Sequence, residues 1–217
     1  MTATATLGNL REVGGPGLQR GRARTVYRAN TEDVGQEAYP RSVRTVVDLR
    51  RADEIAALPH PLGATLGYRN VPLFDPTVPD EAVAGALTLE AQYVDWLDRH
   101  RATIGEVFRT IAAAEGDLLV CCAAGKDRTG VVSALLARLW GADSNVIGAD
   151  YAATGPALAE RFRRERATTT DPEQTARNQR CVPETAVHVV STVEERFGSV
   201  RGYLLWVGLS EGEIDSL

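Results

Sequence analysis

The chain has 217 residues, 44% of them hydrophobic and 24% charged, and these proportions exclude a disordered or fibrous chain. The formal net charge of -5 excludes a general attraction to polyanions such as nucleic acid. The first residues lack the basic start and apolar core of a secretory signal, and no run approaches the roughly 18 apolar residues of a membrane span. We therefore expect one domain over 1–217, cytoplasmic and without a stable membrane anchor.

The first half of the chain is predicted to form short strands and loops followed by a long helix. Residues 1–25 hold several glycines and a proline, which predicts an opening loop. From about Leu87 to Ala114, apolar residues recur every three or four positions, and this spacing predicts a helix. Between them, apolar and β-branched residues predict three strands, at Thr25–Arg28, Val43–Leu49 and Tyr68–Leu73.

A predicted strand and a predicted helix flank a loop at 122–128. The run DLLVCC, Asp117 to Cys122, predicts a buried strand, and TGVVSALLARLW, Thr129 to Trp140, predicts a helix. The remainder is predicted to be helical, with a segment at about 155–182 that is expected to be mobile and to act as a lid. Strands separated by helices predict a three-layer α/β fold with a mostly parallel central sheet, helices on both faces and a helical C-terminal part.

A loop between a buried strand and a helix is suited to bind phosphate, because backbone N–H groups and the positive end of the helix dipole converge there. The same field favours the thiolate of a cysteine at the beginning of the loop, so Cys122 is the candidate nucleophile. Arg128 would direct its planar guanidinium at two phosphoryl oxygens, and the Thr129 hydroxyl would bond the sulfur. The residues predicted to contact the substrate are Ala123, Ala124, Gly125, Lys126, Thr129 and Gly130.

Lysine usage singles out one position in this loop. Of the 24 basic residues, 23 are arginine, and the sole lysine is Lys126. A compact ammonium there would contact a second negative group of the substrate or neutralise phosphoryl oxygens. The alternative is a solvated loop lysine without a function.

The segment VCCAAGKDRTG, Val120 to Gly130, resembles the phosphate-binding loop of the cysteine-dependent (Cys-x5-Arg) phosphatases. Its CxxGKDRTG form is similar to that of bacterial tyrosine phosphatases with dual specificity, which act on phosphotyrosine, phosphoserine/threonine and phosphoinositides. The resemblance extends to LGNLREVGG, VYRAN, VVDLRRADE, IGADYAAT and FGSVRGYLLWVGLS. It implies a metal-independent phosphatase without a cofactor, a cysteinyl-phosphate intermediate on Cys122, and a loop that also binds free phosphate or sulfate.

The resemblance also implies a proton donor for the leaving oxygen. Asp75 in NVPLFDP is the preferred candidate, because a loop at that position would overhang the site, and Asp127 inside the loop is the alternative. Members of the family usually carry histidine immediately before the nucleophile, whereas this chain has Cys121. Strand alternation turns Cys121 away from Cys122, and a thiol donates only weakly, so one support of the loop is expected to be weaker.

Other polar residues are predicted to be structural. The spacing of the three histidines and the cysteines predicts no metal site, and Cys181 is interpreted as an ordinary thiol rather than a redox partner. The run RFRRER, Arg161 to Arg166, is interpreted as a solvated helix face rather than a basic lid. The charged residues after the second predicted strand are expected to pair with one another or to position loops: Asp48, Arg50 and Glu54.

Three functions stay open at this point. The first is a phosphatase for phosphoproteins or phosphoinositides, and the second is a phosphatase for a small soluble metabolite such as a nucleotide or sugar phosphate. The third is a non-catalytic module that binds a phosphorylated partner. The presence of both Cys122 and Arg128 disfavours this third function, because such a module needs neither nucleophile nor transition-state contact.

Overall fold

A computed structural model describes residues 7–65, 67–74 and 88–217. Its centre is a five-stranded sheet with the strand order β1-β2-β5-β3-β4. The outer strand β1 runs antiparallel to β2, and the other neighbours are parallel. The predicted α/β class and mostly parallel sheet are therefore confirmed. The strands are β1 Arg11–Glu12, β2 Val26–Asn30, β3 Val43–Asp48, β4 Tyr68–Asn70 and β5 Asp117–Cys122.

Helices make up most of the chain after β5, which confirms the predicted helical C-terminal part. A short 3-10 helix covers Gln36–Ala38 in the first half. The α-helices are α1 Ala52–Ala57, α2 Leu89–Arg99, α3 Arg101–Ala112, α4 Asp127–Leu139, α5 Ser144–Ala152, α6 Thr154–Ala157, α7 Ala159–Thr168, α8 Pro172–Asn178, α9 Pro183–Phe197, α10 Val200–Trp206 and α11 Glu211–Asp215.

The single helix predicted from Leu87 to Ala114 is wrong, because two helices, α2 and α3, occupy this stretch. They meet at His100, whose backbone angles of -106° and 25° lie outside the helical range. The predicted first residue, Leu87, lies outside the described residues. Helix α4 begins at Asp127, two residues earlier than predicted, and a carboxylate is favourable in the first turn of a helix.

The strand β5 lies in the middle of the sheet and supplies side chains to both faces. Leu118, Val120 and Cys122 join the larger hydrophobic cluster, which packs against residues of α2, α3, α4, α9 and α10. Leu119 and Cys121 join a smaller cluster on the opposite face. This alternation follows from the two-residue period of a strand, and it explains the continuous apolar run of the β5 sequence.

The carboxyl ends of three parallel strands meet at one edge of the sheet. Cys122 at the end of β5 pairs in register with Asn30 of β2, and Cys121 pairs with Asp48 of β3. Loops that follow parallel strands at such an edge are the usual place for a binding site in α/β proteins. Within the described part of the chain, no helix has the length and apolarity required to cross a membrane.

Candidate active site

Cys122 lies at the end of the central strand, where the loop 123–126 leads into α4. It is 2% exposed and faces the larger hydrophobic cluster. Cys121 is fully buried on the opposite face, as strand alternation predicted. Burial, together with the nearby Asp48 carboxylate, raises the pKa of the Cys121 thiol well above its usual value. Cys121 is therefore a protonated thiol at neutral pH, and only Cys122 faces the loop.

The carbonyls of Cys122 and Ala123, where the loop begins, accept hydrogen bonds from residues outside the loop. Thr31, just after β2, donates its hydroxyl to the carbonyl of Cys122 and its backbone N–H to the carbonyl of Ala123, both at 3.2 Å. Arg161 of α7 also donates Nη1 to the Ala123 carbonyl, at 2.8 Å. These donors hold the carbonyls away from the space in front of the sulfur.

The next two carbonyl groups are bound in the same way. The side-chain amide of Asn9 donates Nδ2 to the carbonyls of Ala124 and Gly125, at 2.9 and 3.0 Å. Arg28 of β2 donates Nη2 to the Gly125 carbonyl at 2.8 Å. A curled backbone whose carbonyls point outward presents its N–H groups inward, which makes an anion-binding concavity. The N–H groups of 123–126 form no bond to any residue in the described ranges.

Two glycines allow this loop to lie close to its neighbours. Gly125 has a φ of 64°, and a Cβ there would lie 2.3 Å from the Ala29 carbonyl oxygen, so no larger residue fits without moving the backbone. A Cβ on Gly130 would lie 3.0 Å from the ring of Tyr151, so the ring would have to shift to make room for it. Both positions therefore have a packing reason to be glycine in addition to their predicted place in the site.

Arg128, in the first turn of α4, forms a bidentate ion pair with Glu54 of α1. Its Nη1 and Nη2 lie 2.6 and 2.7 Å from the two carboxylate oxygens, and its Cζ lies 5.3 Å from the centre of the Phe74 ring. Burial alone would lower the pKa of Arg128, but the hydrogen bonds to Glu54 and the nearby Cys122 sulfur raise it above its usual value. The guanidinium is thus permanently charged and held beside the sulfur.

The residues predicted to act as supports do form pairs. Arg50 contacts Asp48 through Nε at 3.0 Å and Nη2 at 2.8 Å, and both side chains are buried. Tyr68 donates its hydroxyl to the same carboxylate at 2.9 Å. This group lies behind the loop, on the side of Cys121. Glu54, the third predicted support, instead contacts Arg128 directly.

Lys126 is buried, so the alternative of a solvated loop lysine is wrong. It is 1% exposed, and its Nζ lies 2.6 Å from Asp127 Oδ1, 2.7 Å from the Asn178 carbonyl and 3.3 Å from the Tyr93 hydroxyl. Tyr93 also donates to Asp127 Oδ1 and bonds the hydroxyl of Tyr151. The fixed carboxylate and ammonium face one another at the beginning of α4. Lys126 further joins the loop to α8, within the segment predicted to be a lid.

The sequence also made predictions for Asp75, Thr129 and Cys181, and the result differs for each. Asp75 lies outside the described residues. The hydroxyl of Thr129 is buried and forms no hydrogen bond within the described ranges, so the expected bond to the sulfur is not formed in this structure. Cys181 is partly buried and donates to the Gln179 carbonyl at 3.3 Å, and burial raises its pKa to about 11. In the residues that the structure describes, no group of three or more histidine, cysteine or acidic side chains could hold a metal ion.

The basic run in α7 divides into two parts. Arg163 and Arg164 are about two-thirds exposed and pair with Glu160 on the same helix, as expected of a solvated face. Arg161 is less exposed and binds both the loop and Glu32. The prediction of a purely solvated face is therefore wrong for Arg161, because its helical position turns it toward the sheet edge.

Several residues that build the site carried no chemical signal of their own in the sequence. The loop carbonyls accept hydrogen bonds from Asn9 and Arg28, and Arg28 also pairs with Asp150. In each of these pairs the two residues are more than ninety positions apart in the sequence. Tyr93 is a buried residue of α2 and lies in a stretch for which the sequence predicted only a helix. The available signal was the resemblance itself, since LGNLREVGG contains Asn9, VYRAN contains Arg28 and IGADYAAT contains Asp150.

Comparisons with known proteins identify relatives of this chain. The chain is 30% identical over 190 residues to a tyrosine-protein phosphatase of Nostoc commune, an alignment that covers 81% of this chain and 65% of the relative. It is 29% identical over 123 residues to the triple specificity protein phosphatase PtpB of Mycobacterium tuberculosis, covering 50% of this chain and 45% of that protein. The chain thus spans less than two thirds of the length of each of these two relatives. A family model described as the tyrosine phosphatase family matches residues 2–217, and the chain belongs to this family.

Proposed function

We propose that the chain hydrolyses phosphate monoesters through a cysteinyl-phosphate on Cys122. One observation carries the proposal: the carbonyls of 122–125 are all bound from outside the loop, which leaves the N–H groups of 123–126 to face the space before the sulfur. Donors fixed in advance around a site of developing negative charge stabilise a phosphoryl transition state. The deep position of the sulfur at the end of a buried strand supports its role as nucleophile.

The reaction has two steps. In the first, the thiolate of Cys122 attacks phosphorus, the bond between phosphorus and the ester oxygen breaks, and the leaving oxygen takes a proton from a carboxylic acid. In the second, water attacks the phosphocysteine, the sulfur–phosphorus bond breaks, and the same carboxylate accepts the proton of the water. The products are an alcohol or phenol, inorganic phosphate and the regenerated thiolate.

The proposed substrates are phosphotyrosine or phosphoserine proteins, or phosphoinositides. Support comes from the names of the two relatives, a tyrosine-protein phosphatase and a triple specificity protein phosphatase. A small soluble phosphorylated metabolite is the second candidate, and nothing in the arrangement of the loop favours one over the other. A panel of phosphopeptides, phosphoinositides and nucleoside monophosphates, compared by kcat/KM, separates them.

The proposal is tested by turnover of para-nitrophenyl phosphate in EDTA, followed by rapid denaturation during turnover. We expect activity to persist without divalent cations, and mass spectrometry to find one phosphoryl group on the peptide that contains Cys122. Since that peptide also contains Cys121, fragmentation must place the group on the second cysteine. A phosphoryl group on another residue, or activity that returns only when a divalent cation is added back, would refute the mechanism.

Replacing the proton donor is expected to impair alkyl esters far more than aryl esters. Of the two candidates, we propose Asp127, because Tyr93 and Lys126 both bond its Oδ1 and thereby fix the carboxyl group beside Arg128. Asp127→Asn should lower kcat on an alkyl phosphate by on the order of 100-fold. An aryl phosphate, whose phenolate leaves more readily, should lose less.

Asp75→Asn, measured on the same pair of esters, provides the comparison. If Asp75→Asn lowers alkyl ester turnover selectively and Asp127→Asn affects both esters alike, then Asp75 is the donor. The ratio of alkyl to aryl kcat is the decisive quantity, since a general loss of structure lowers both.

A further inference from the structure

Asn9 lies outside the loop and binds two of its consecutive carbonyls through a single side-chain amide. It is 1% exposed and lies just before β1. Its Nδ2 bonds Ala124 and Gly125, and its backbone N–H bonds the Asn30 side chain at 3.2 Å. The two hydrogens of one amide group therefore bind two consecutive carbonyls of the loop shortly before α4 begins.

A closed ring of hydrogen bonds fixes the orientation of this amide. Arg11 donates to Asn9 Oδ1 and, through Nε, to Asp150 at 2.7 Å. Arg28 donates Nη1 to the other oxygen of Asp150 at 2.6 Å and Nη2 to the Gly125 carbonyl. Because Arg11 occupies Oδ1, only the NH₂ group of Asn9 faces the loop. The flipped amide would set an oxygen against two carbonyl oxygens.

The ring also places charge near the loop. Two guanidinium groups and one carboxylate carry a net charge of one positive unit, and Arg28 and Asp150 are both buried. Burial reduces screening by water, so this charge favours an anion in the loop. Burial and the neighbouring Arg28 lower the pKa of Arg11 to about 10, which still leaves it charged at neutral pH.

We propose that Asn9 is a positioning residue for the phosphate-binding loop, held in place by the ring of Arg11, Asp150 and Arg28. Without its two hydrogen bonds, the carbonyls of Ala124 and Gly125 are free to turn inward and present negative partial charge to a phosphoryl group. Asn9 thus acts on the reaction through the loop backbone and touches no reacting atom. The inference rests on the proposed function, which it deepens.

The test uses Asn9→Ala with Gln19→Ala as a matched control. Gln19 is also a buried amide near the N-terminus, but it bonds the backbone of Val13 and Val26 at the far end of β2. Both variants lose a buried amide that binds two carbonyls, so both lose stability by a similar mechanism. Only Asn9→Ala should alter the loop.

Three readouts separate positioning from stability. In Asn9→Ala we expect kcat/KM on an aryl phosphate to fall by on the order of 10- to 100-fold. The affinity of inorganic phosphate for the Cys122→Ser protein, measured by calorimetry, should fall about tenfold when Asn9→Ala is added. The rate of Cys122 alkylation, measured at one fixed pH, should fall. Gln19→Ala should leave all three close to the parent.

Parent-like phosphate affinity and alkylation in a folded Asn9→Ala protein overturn the proposal, as does an equal loss in Gln19→Ala. If Asn9→Ala does not fold, Arg11→Met removes the bond to Asn9 Oδ1 while leaving Asn9, and it should give a smaller loss in the same three readouts. Phosphate binding to the Cys122→Ser protein does not depend on turnover. If the parent binds phosphate but hydrolyses no ester, the proposed function is refuted. A loss of phosphate binding on removal of Asn9 would then still uphold the positioning role.

Discussion

Cys122→Ser should eliminate turnover of an aryl phosphate, lowering kcat by on the order of 10⁴-fold or more, while inorganic phosphate still binds. A serine hydroxyl is not ionised at neutral pH, so it is a much weaker nucleophile than a thiolate. The backbone donors and Arg128 do not depend on the sulfur, so the loop keeps its shape. Turnover by spectrophotometry and phosphate binding by calorimetry measure the two effects separately.

The adjacent cysteine supplies the control for this prediction. Cys121→Ser changes the same atom one residue earlier, but that side chain lies on the opposite face of the sheet among Ala29, Val46 and Leu119. It should keep kcat within about tenfold of the parent and lose about 1 kcal/mol of stability from a buried hydroxyl. Loss of turnover in Cys121→Ser equal to that in Cys122→Ser would contradict the assignment of the nucleophile.

Arg128→Lys is expected to lower kcat/KM by on the order of 10²- to 10³-fold despite the conserved charge. An ammonium group cannot span two phosphoryl oxygens, and it cannot reproduce the bidentate pair with Glu54, which the guanidinium holds at 2.6 and 2.7 Å. The partly buried carboxylate of Glu54 is then poorly paired. Both kcat and the affinity for phosphate should fall, because the guanidinium binds the ground state and the transition state.

Arg138→Lys is the matched control, since Arg138 belongs to the same helix and pairs with Glu194 at 2.7 Å. It lies in the last turn of α4, at the opposite end from the loop. The same chemical change at this position should leave kcat/KM within about twofold. If the two variants lose activity to the same extent, the effect of Arg128→Lys comes from the helix and not from contact with phosphate.

The sequence predicted well the secondary structure around the candidate site, because one continuous segment forms it. DLLVCC forms β5 with the predicted bounds, and the loop and α4 follow it directly. Cys122 and Arg128 became candidates because a strand, a loop and a helix in succession dictate which side chains face one point, whereas Asp127 entered only through the resemblance, as the alternative to Asp75. A local pattern is sufficient when all of the geometry lies within a dozen residues.

Contacts between distant segments could not be predicted in the same way. Asn9 was predicted only as part of a loop, Arg28 as part of a strand and Tyr93 as part of a helix. Nothing in their neighbouring residues reveals which carbonyl or carboxylate they meet. The break at His100 was missed for a related reason. Buried residues continue at helical spacing on both sides of it, for example Leu97 and Ile104, so the pattern gives no sign of a single non-helical residue.

The anchoring of the loop from outside has a consequence for how short motifs are interpreted. The donors to the carbonyls of 123–125 come from positions separated from them by as many as 116 residues. Bringing such distant segments together costs conformational entropy, which is offset only when the complete fold forms. A fragment with the letters CxxGKDRTG but without Asn9, Arg28 and Thr31 would carry the motif and lack the binding surface. In this protein the proposed oxyanion site belongs to the assembled sheet edge, and the nine-position motif marks only one part of it.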